Sequence, residues 1–335
     1  MRFMEKIILP LVTNPPTVAY QNKANYLGIL LTDQNYEKEL YVDYVNLIWN
    51  TQNSSCGFET AAYNHHFRDD CFLYVEGLYI KNNMRFIGDD DPYGHLLQKI
   101  IEKIKKGFYV KGFFDEFYIP AKKSYKKCHY KHDFMLYGVD EYERKLIAIG
   151  YTKSDTYVTY DIAFDDFKRS LMSLERMASP GEYMFFVEFL KLKENNTYKF
   201  DYDKVVKRLY YYLHPEKINS YDSLYGIDAF EKIISQLNIK FDLRQVRLLM
   251  EHKNIMLDRL NYLHQNDYCQ LTFEIDEYEK IVKYIFSIFH IAVKYSMTHS
   301  EEDLVQIIAK LKILRNEEIQ VLSTIYEKLL QKTEV

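Results

Sequence analysis

Residues 132–152 read HDFMLYGVDEYERKLIAIGYT, and this stretch decides the fold. Two apolar runs, FMLYG and KLIAIG, flank the tetrapeptide Val139-Asp140-Glu141-Tyr142. That pattern predicts a β-hairpin, because a polar turn between two apolar segments of strand length brings them back antiparallel. Further strands are expected on either side, at FYVKGFFDEFYI (108–119) and TYVTYDIAF (156–164). CFLYVEGLYI (71–80) and MRFIG (84–88) read as a strand pair, and MFFVEFLKL (184–192) as a last strand. Between them, Asp89 to Asp91 before Pro92 make a strong helix start, since carboxylates favour the positive end and proline the first turn. That helix is expected over Tyr93 to Lys106, with Gly107 ending it, and a second over Phe164 to Leu174.

Towards the amino end, EKIILPLV (5–12) reads as extended chain. Pro15 and Pro16 exclude helix up to that point. A helix is then expected with Ala24, Leu27, Gly28, Leu30 and Leu31 on one face. A further amphipathic helix is predicted over Glu37 to Asn50. After Lys199 the period becomes helical and stays so, with helices expected at Tyr202–Leu213, Tyr225–Leu237, Leu243–Leu263, Tyr278–Tyr295 and Asp303–Leu330. No fixed repeat is visible, which excludes a solenoid. The fold class is therefore α+β, with a mixed domain over 1–200 and an all-helical domain over 201–335.

The 44 Lys and Arg against 48 Asp and Glu give a formal charge of −4, without the positive footprint of a nucleic-acid binder. The local basic run Lys122, Lys123, Lys126, Lys127 and Lys131 is read as a solvated loop, with an acidic carrier-protein partner as the functional alternative. The 32 Tyr and 21 Phe are ascribed to compositional drift rather than to an aromatic binding surface. Four widely spaced cysteines, an amino-terminal apolar stretch too short for a signal peptide, and no run of about 18 apolar residues point to a reducing cytoplasm and no membrane span. His65 and His66 with Asp69 and Asp70 lack a third ligand at a diagnostic spacing, so no metal is expected. Glu251 and Arg247 are expected to pair on one helix face; the alternative is that Arg244, Arg247, Glu251, His252 and Arg259 together brace that helix against the amino-terminal domain. No Walker loop, dinucleotide fingerprint or serine elbow occurs, and no cofactor is implied.

Candidate chemistry centres on His132 in C-H-Y-K-H-D (128–133), at the entry to an apolar strand. An imidazole there can be aimed at a nucleophile, and equally can cap a strand through a backbone carbonyl. Asp133 and Asp140 are the nearby acids, although strand alternation turns Asp133 to the opposite face. Met135 and Tyr137 read as core.

With LPLVTNPP (9–16) and the helix behind it, HDFMLYGVDEYERKLIAIGYT resembles the family of the butirosin biosynthesis protein H N-terminal domain. YGIDAFEKI (225–233) and DLRQVRLLMEHKNIMLDRLNYL (242–263) look like stretches in long relatives from peptide-antibiotic gene clusters. The resemblance implies a papain-like fold and acyl transfer from a carrier-protein thioester to an amine or peptide, using a cysteine, a histidine and an acid. The implied partner is an acyl or peptidyl carrier protein, with the oligomeric state open, a homo-oligomer included. The sequence departs from this scheme twice. The thiol should lie near Val18 to Asn22, which reads V-A-Y-Q-N, and the acid should lie where Gly150 stands. Asp155, in the next turn, is a weaker substitute. Cys56 and Cys128 are the thiols worth testing; Cys71 and Cys269 read as core and remote. Two functions follow: amide formation with His132 as base, by direct aminolysis if no nucleophile exists, or a catalytically degenerate relative that binds a carrier domain, peptide or product.

Overall fold

The computed structural model describes residues 4–58, 72–81, 91–177, 183–192 and 199–333. In chain order the elements are β1 (Lys6–Ile8), α1 (Gln21–Leu30), α2 (Glu37–Asp43), β2 (Leu47–Asn50), β3 (Ser55–Phe58) and β4 (Phe72–Lys81). There follow α3 (Pro92–Lys105), β5 (Tyr109–Asp115), β6 (Lys131–Asp140), β7 (Lys145–Tyr151), β8 (Tyr157–Ala163), α4 (Phe164–Met177) and β9 (Tyr183–Leu192). The remainder comprises α5 (Tyr202–Leu213), β10 (Ser223–Tyr225), α6 (Gly226–Ile239), α7 (Leu243–Gln265), α8 (Thr272–Thr298) and α9 (Glu301–Thr333). The chain is thus a mixture of helix and antiparallel sheet with a helical carboxyl-terminal region. Among the described residues, no helix is long and apolar enough to cross a membrane.

Contacts divide the chain into two units, one of residues 1–33 and 66–196, the other of 34–65 and 197–335. A single boundary at 200 therefore misassigns 34–65, which belongs with the helices. The expected helix over 37–50 is also corrected: α2 stops at Asp43, and Leu47 to Asn50 pairs with both β3 and β10. Apolar spacing in this segment fits either period, and pairing on both edges decides it. Leu47 and Trp49 are buried while Ile48 and Asn50 alternate outward. Accordingly the second unit is not all-helical.

In the first unit the strands run β4-β9-β5-β6-β7-β8, with β1 also paired to β6. The predicted hairpin forms with Asp140 opposite Lys145, its turn at 141–144, two residues beyond the expected tetrapeptide. β4 pairs with β9; residues 84–88, its expected partner, lie outside the described residues. Asp91 caps α3 by accepting from Gly94 N at 3.0 Å, and Gly107 follows with φ +83°. On one sheet face Phe134 and Leu136 of β6 join Leu96, Ile100, Phe167 and Leu171 of α3 and α4 in a single core. Phe114 packs against Phe134 and Phe167 with ring centroids 4.6 and 5.0 Å apart. Each such ring stabilises the unit by roughly 1.5–3 kcal/mol through burial. α1 packs on β6 and β7, and strand alternation gives it the other face, where Asp133 and Met135 point.

In the second unit α7 holds the 34–65 segment by its backbone. The last carbonyls of a helix lack intrahelical donors, and buried Arg259 donates to Tyr41 O at 2.5 Å and Leu40 O at 3.5 Å near the end of α2. His252 Nε2 donates to Val45 O at 2.7 Å. The bracing role foreseen for this helix is thus exercised inside its own unit. The Arg247–Glu251 pair is present at 3.0 Å.

Candidate functional site

The carboxyl ends of β5 and β7 and the start of β6 meet at one end of the sheet, and the amino end of α1 arrives beside them. His132 is the second residue of β6, opposite Phe114 in β5. Immediately after β5 the chain turns through a short 3-10 helix, Glu116–Tyr118, which swings Glu116 back over the strand ends. Glu116 Oε1 lies 3.0 Å from His132 Nδ1. A carboxylate can only accept, so the imidazole proton is assigned to Nδ1 and the lone pair to Nε2. His132 remains 34% exposed at its side chain, whereas Glu116 is buried.

Gln21, the first residue of α1, closes the other side. Its amide Nε2 donates to Asp133 O at 2.5 Å and Asp133 Oδ1 at 3.0 Å, and its Oε1 accepts from Tyr151 N at 3.0 Å. The same Nε2 packs 3.2 Å from His132 Nδ1; with that nitrogen's proton on Glu116, the contact is steric. Asp133 Oδ1 is 3.8 Å from His132 Nε2. The alternation argument against Asp133 is corrected here: the two side chains leave opposite faces, but at a strand end both reach Gln21.

Lys122 is the surprise of the basic run. Rather than being solvated it is buried, with Nζ donating to Tyr151 O at 2.7 Å, 3.4 Å from Glu116 Oε1, and 5.1 Å from the centroids of both Phe134 and Tyr160. Cation–π contacts and the carboxylate compensate its lost hydration. Burial lowers the Lys122 ammonium, opposed by Glu116. Burial also pushes the Glu116 carboxyl up, but the hydrogen bond from His132 and the charge of Lys122 outweigh it and hold Glu116 below its ordinary range. A Cβ at Gly150 would lie 3.0 Å from Gln21 Oε1 and 3.3 Å from Lys122 Nζ. Glycine is what admits both side chains. Among the described residues, Asp133 Oδ2 and Tyr160 OH are buried without a hydrogen-bond partner, which is costly unless something else supplies one.

Other candidates fall elsewhere. Asp140 is at the far end of β6, roughly 26 Å from His132 at 3.3 Å per residue, and caps the hairpin by accepting from Glu143 N and pairing with Lys6. Asp155 pairs with Lys123 at 2.6 Å on the surface. Cys56 is buried in β3 of the helical unit. Cys128 is exposed in the turn before β6, and among the described residues the side chains within hydrogen-bonding or ion-pair reach of His132 are Gln21, Glu116 and Asp133. Cys269 is half-buried in the helical unit. His65, His66, Asp69, Asp70 and Cys71 lie outside the described residues. Met135 and Tyr137 are core.

Sequence reading missed Glu116, Lys122 and Gln21. The signal for Glu116 was the pair Asp115-Glu116 closing an apolar strand. Asp115, fully buried, anchors that corner by accepting from Phe117 N, Tyr130 N and Ser173 Oγ and pairing with His129 at 2.6 Å. Among the described residues no group of three His, Cys, Asp or Glu side chains could hold a metal ion. Chemically, the arrangement offers a carboxylate-oriented imidazole, its Nε2 3.5 Å from Gln21 Nε2 and 3.8 Å from Asp133 Oδ1, beside a helix amino end that has neither a side-chain cap nor an acid in its first turn. Such an end favours developing negative charge. The chain matches no protein-family model, and no curated protein shows significant similarity to it.

Proposed function

We propose that this site forms amides by direct aminolysis of a thioester, with His132 as general base and Glu116 as the group that orients it. The observation that carries the reading is the 3.0 Å contact between His132 Nδ1 and Glu116 Oε1 on a half-exposed imidazole. It leaves Nε2 to take a proton from an attacking amine. The amine nitrogen bonds to the acyl carbon, the carbon–sulfur bond breaks, and the imidazolium returns the proton to the departing thiolate. The amino end of α1 stabilises the oxyanion that forms between these events.

The resemblance to the butirosin biosynthesis protein H N-terminal domain family supports this reading, and with it a papain-like architecture for the first unit and a carrier-bound acyl donor. The helix start where that family's thiol is expected bears Gln21, and the missing acid at Gly150 is answered by Glu116 from the short 3-10 helix after β5. Without a thiol the acyl group passes straight to the amine, so positioning and electrostatics carry the rate. A second reading, a binding protein on the same architecture, is favoured by one observation: the Gln21 amide is fully engaged by Asp133 and Tyr151 where a nucleophile would stand.

The test is mass-spectrometric detection of amide from an acyl-carrier thioester and a primary amine. His132→Ala is expected to reduce turnover at least about 100-fold, the usual range for a general base. Glu116→Gln should lower it about 10- to 100-fold, as loss of an orienting partner does, and Asp140→Asn, remote from the site, should leave it unchanged. No amide with any thioester, or turnover indifferent to His132→Ala, moves the assignment to the binding protein.

A further inference from the structure

The turn before β6 holds another imidazole against another carboxylate. His129 Nδ1 lies 2.6 Å from Asp115 Oδ2, with the Asp115 side chain fully buried and that of His129 49% exposed. Other donors fix the carboxylate. Phe117 N and Tyr130 N each reach Oδ1 at 3.1 Å, and Ser173 Oγ of α4 reaches Oδ2 at 2.5 Å. Phe117 stacks on the imidazole with ring centroids 4.3 Å apart and planes 25° apart. Stacking sets the plane of the ring, and Asp115 sets its rotation within that plane. Because a carboxylate only accepts, the proton is assigned to Nδ1 and the lone pair to Nε2. Among the described residues, Nε2 makes no hydrogen bond.

Holding the corner together does not require His129. Asp115 keeps three donors without it, and an exposed imidazole is already satisfied by water. What the pair adds is a poised nucleophile. When Nε2 bonds to an electrophile the ring becomes cationic, and a fixed, buried carboxylate at Nδ1 stabilises that charge with no rearrangement. The neighbouring chain indicates the charge of the electrophile. Lys126 and Lys127 are exposed and have no ion pair among the described residues, so an anion is drawn to this turn.

We propose that His129 Nε2 is a phosphoryl-acceptor site, modified by an activated phosphoryl donor. The Nε2 lone pair forms the N–P bond while the bond from phosphorus to its leaving group breaks. That bond's electron pair departs with the leaving group, and the Nδ1 proton stays with Asp115. A phosphoryl group suits the turn better than an uncharged acyl group, because the two lysines attract its oxygens. Asp115 acts as a positioning residue. The inference goes beyond the amide chemistry at His132, since it uses a different imidazole and a different carboxylate.

Intact-mass and fragmentation spectrometry of the full chain with phosphoramidate test it; the P–N bond of this donor breaks to release ammonia. Neither thioester nor amine is present, so the result is separate from that for amide formation. One acid-labile phosphoryl group per chain is expected, located at His129. His290 and His299, exposed and without a carboxylate partner among the described residues, serve as references within the same molecule. His129 should react at least about tenfold faster than either, the equivalent of one charge-assisted hydrogen bond. His129→Gln should abolish the fast labelling. Asp115→Asn should slow it about tenfold, with far-UV circular dichroism establishing that the variant is folded. If Asp115→Asn does not fold, the ratio within the wild-type chain decides alone. Equal rates at the three histidines overturn the proposal. So does fast labelling that survives His129→Gln, or a folded Asp115→Asn labelled at the wild-type rate.

Discussion

Each unit contains a histidine, a lysine and a glutamate in contact, and the two sets differ in what is left over. In the helical unit Lys253 and Glu318 pair at 2.7 Å with both side chains fully buried. Tyr278 and Tyr212 donate to the two Glu318 oxygens at 2.6 and 2.9 Å. Lys253 Nζ contacts His252 Nδ1 at 3.0 Å and lies 4.5 Å from the Phe230 ring centroid. Between Lys253 and the Val45 carbonyl, both His252 nitrogens are occupied. At the sheet end, by contrast, the His132 side chain stays 34% exposed, and among the described residues Asp133 Oδ2 and Tyr160 OH are unmet. Identical residue types thus close every valence in one unit and leave some open in the other, and the open set is the one for which chemistry is proposed.

The largest effect tests the closed set. Glu318→Ala should destabilise the helical unit by about 3–5 kcal/mol, because it strands a buried ammonium, as read by urea unfolding followed by circular dichroism. Lys253→Met with Glu318→Leu should recover most of that loss. A single-variant cost below about 1 kcal/mol would remove the distinction between the two sets.

Acid should separate the sets next. Burial first, then the neighbouring Lys253 charge, push the His252 imidazole well below its ordinary value. The unfolded chain then binds a proton that the folded chain refuses. Stability contributed by neutral His252 is complete above about pH 6.5 and falls as pH drops below it, by about 1.4 kcal/mol per pH unit until the folded imidazole itself titrates. His252→Gln, which keeps a donor for Val45 O, should flatten this dependence between pH 7 and 5. An unchanged slope would place the proton uptake elsewhere.

The smallest stability effect belongs to the open set. Glu116→Gln should cost less than Glu318→Ala at neutral pH, because one partner it leaves behind, His132, is partly exposed, and the other, buried Lys122, keeps its bond to Tyr151 O. Glu116 is held below its ordinary range, so any stability it does contribute is present above about pH 4.3 and lost as pH falls through its folded value. A neutral-pH loss matching that of Glu318→Ala would make the His132 cluster structural too.

Much of the fold was legible because local pattern and tertiary outcome agree. The hairpin of β6 and β7, the Asp91-Pro92 helix start and the five carboxyl-terminal helices form where period and capping residues put them, although the hairpin's turn falls at 141–144 rather than 139–142. The segment 37–50 was not, since Leu47 to Asn50 becomes strand only through β3 and β10, and Ser223 to Tyr225 lies far along the chain. The site was half legible. His132 stands out by its position at a strand entry, but Gln21 and Glu116 reach it across 111 and 16 residues. Lys122 was hidden by its neighbours: a run of lysines gives no sign of which one turns inward.

The interleaving of 34–65 with the helices governs how this chain can be made. A ribosome delivers Leu40, Tyr41 and Val45 long before it delivers α7, the helix whose side chains bind their backbone carbonyls. The sheet unit can complete itself once residue 196 has emerged, with 34–65 looped out and its apolar side chains uncovered. Until α7 arrives, that loop is a target for chaperones and proteases. A truncation at residue 200 would make the exposure permanent, so fragments cut there should aggregate even though their sheet is intact.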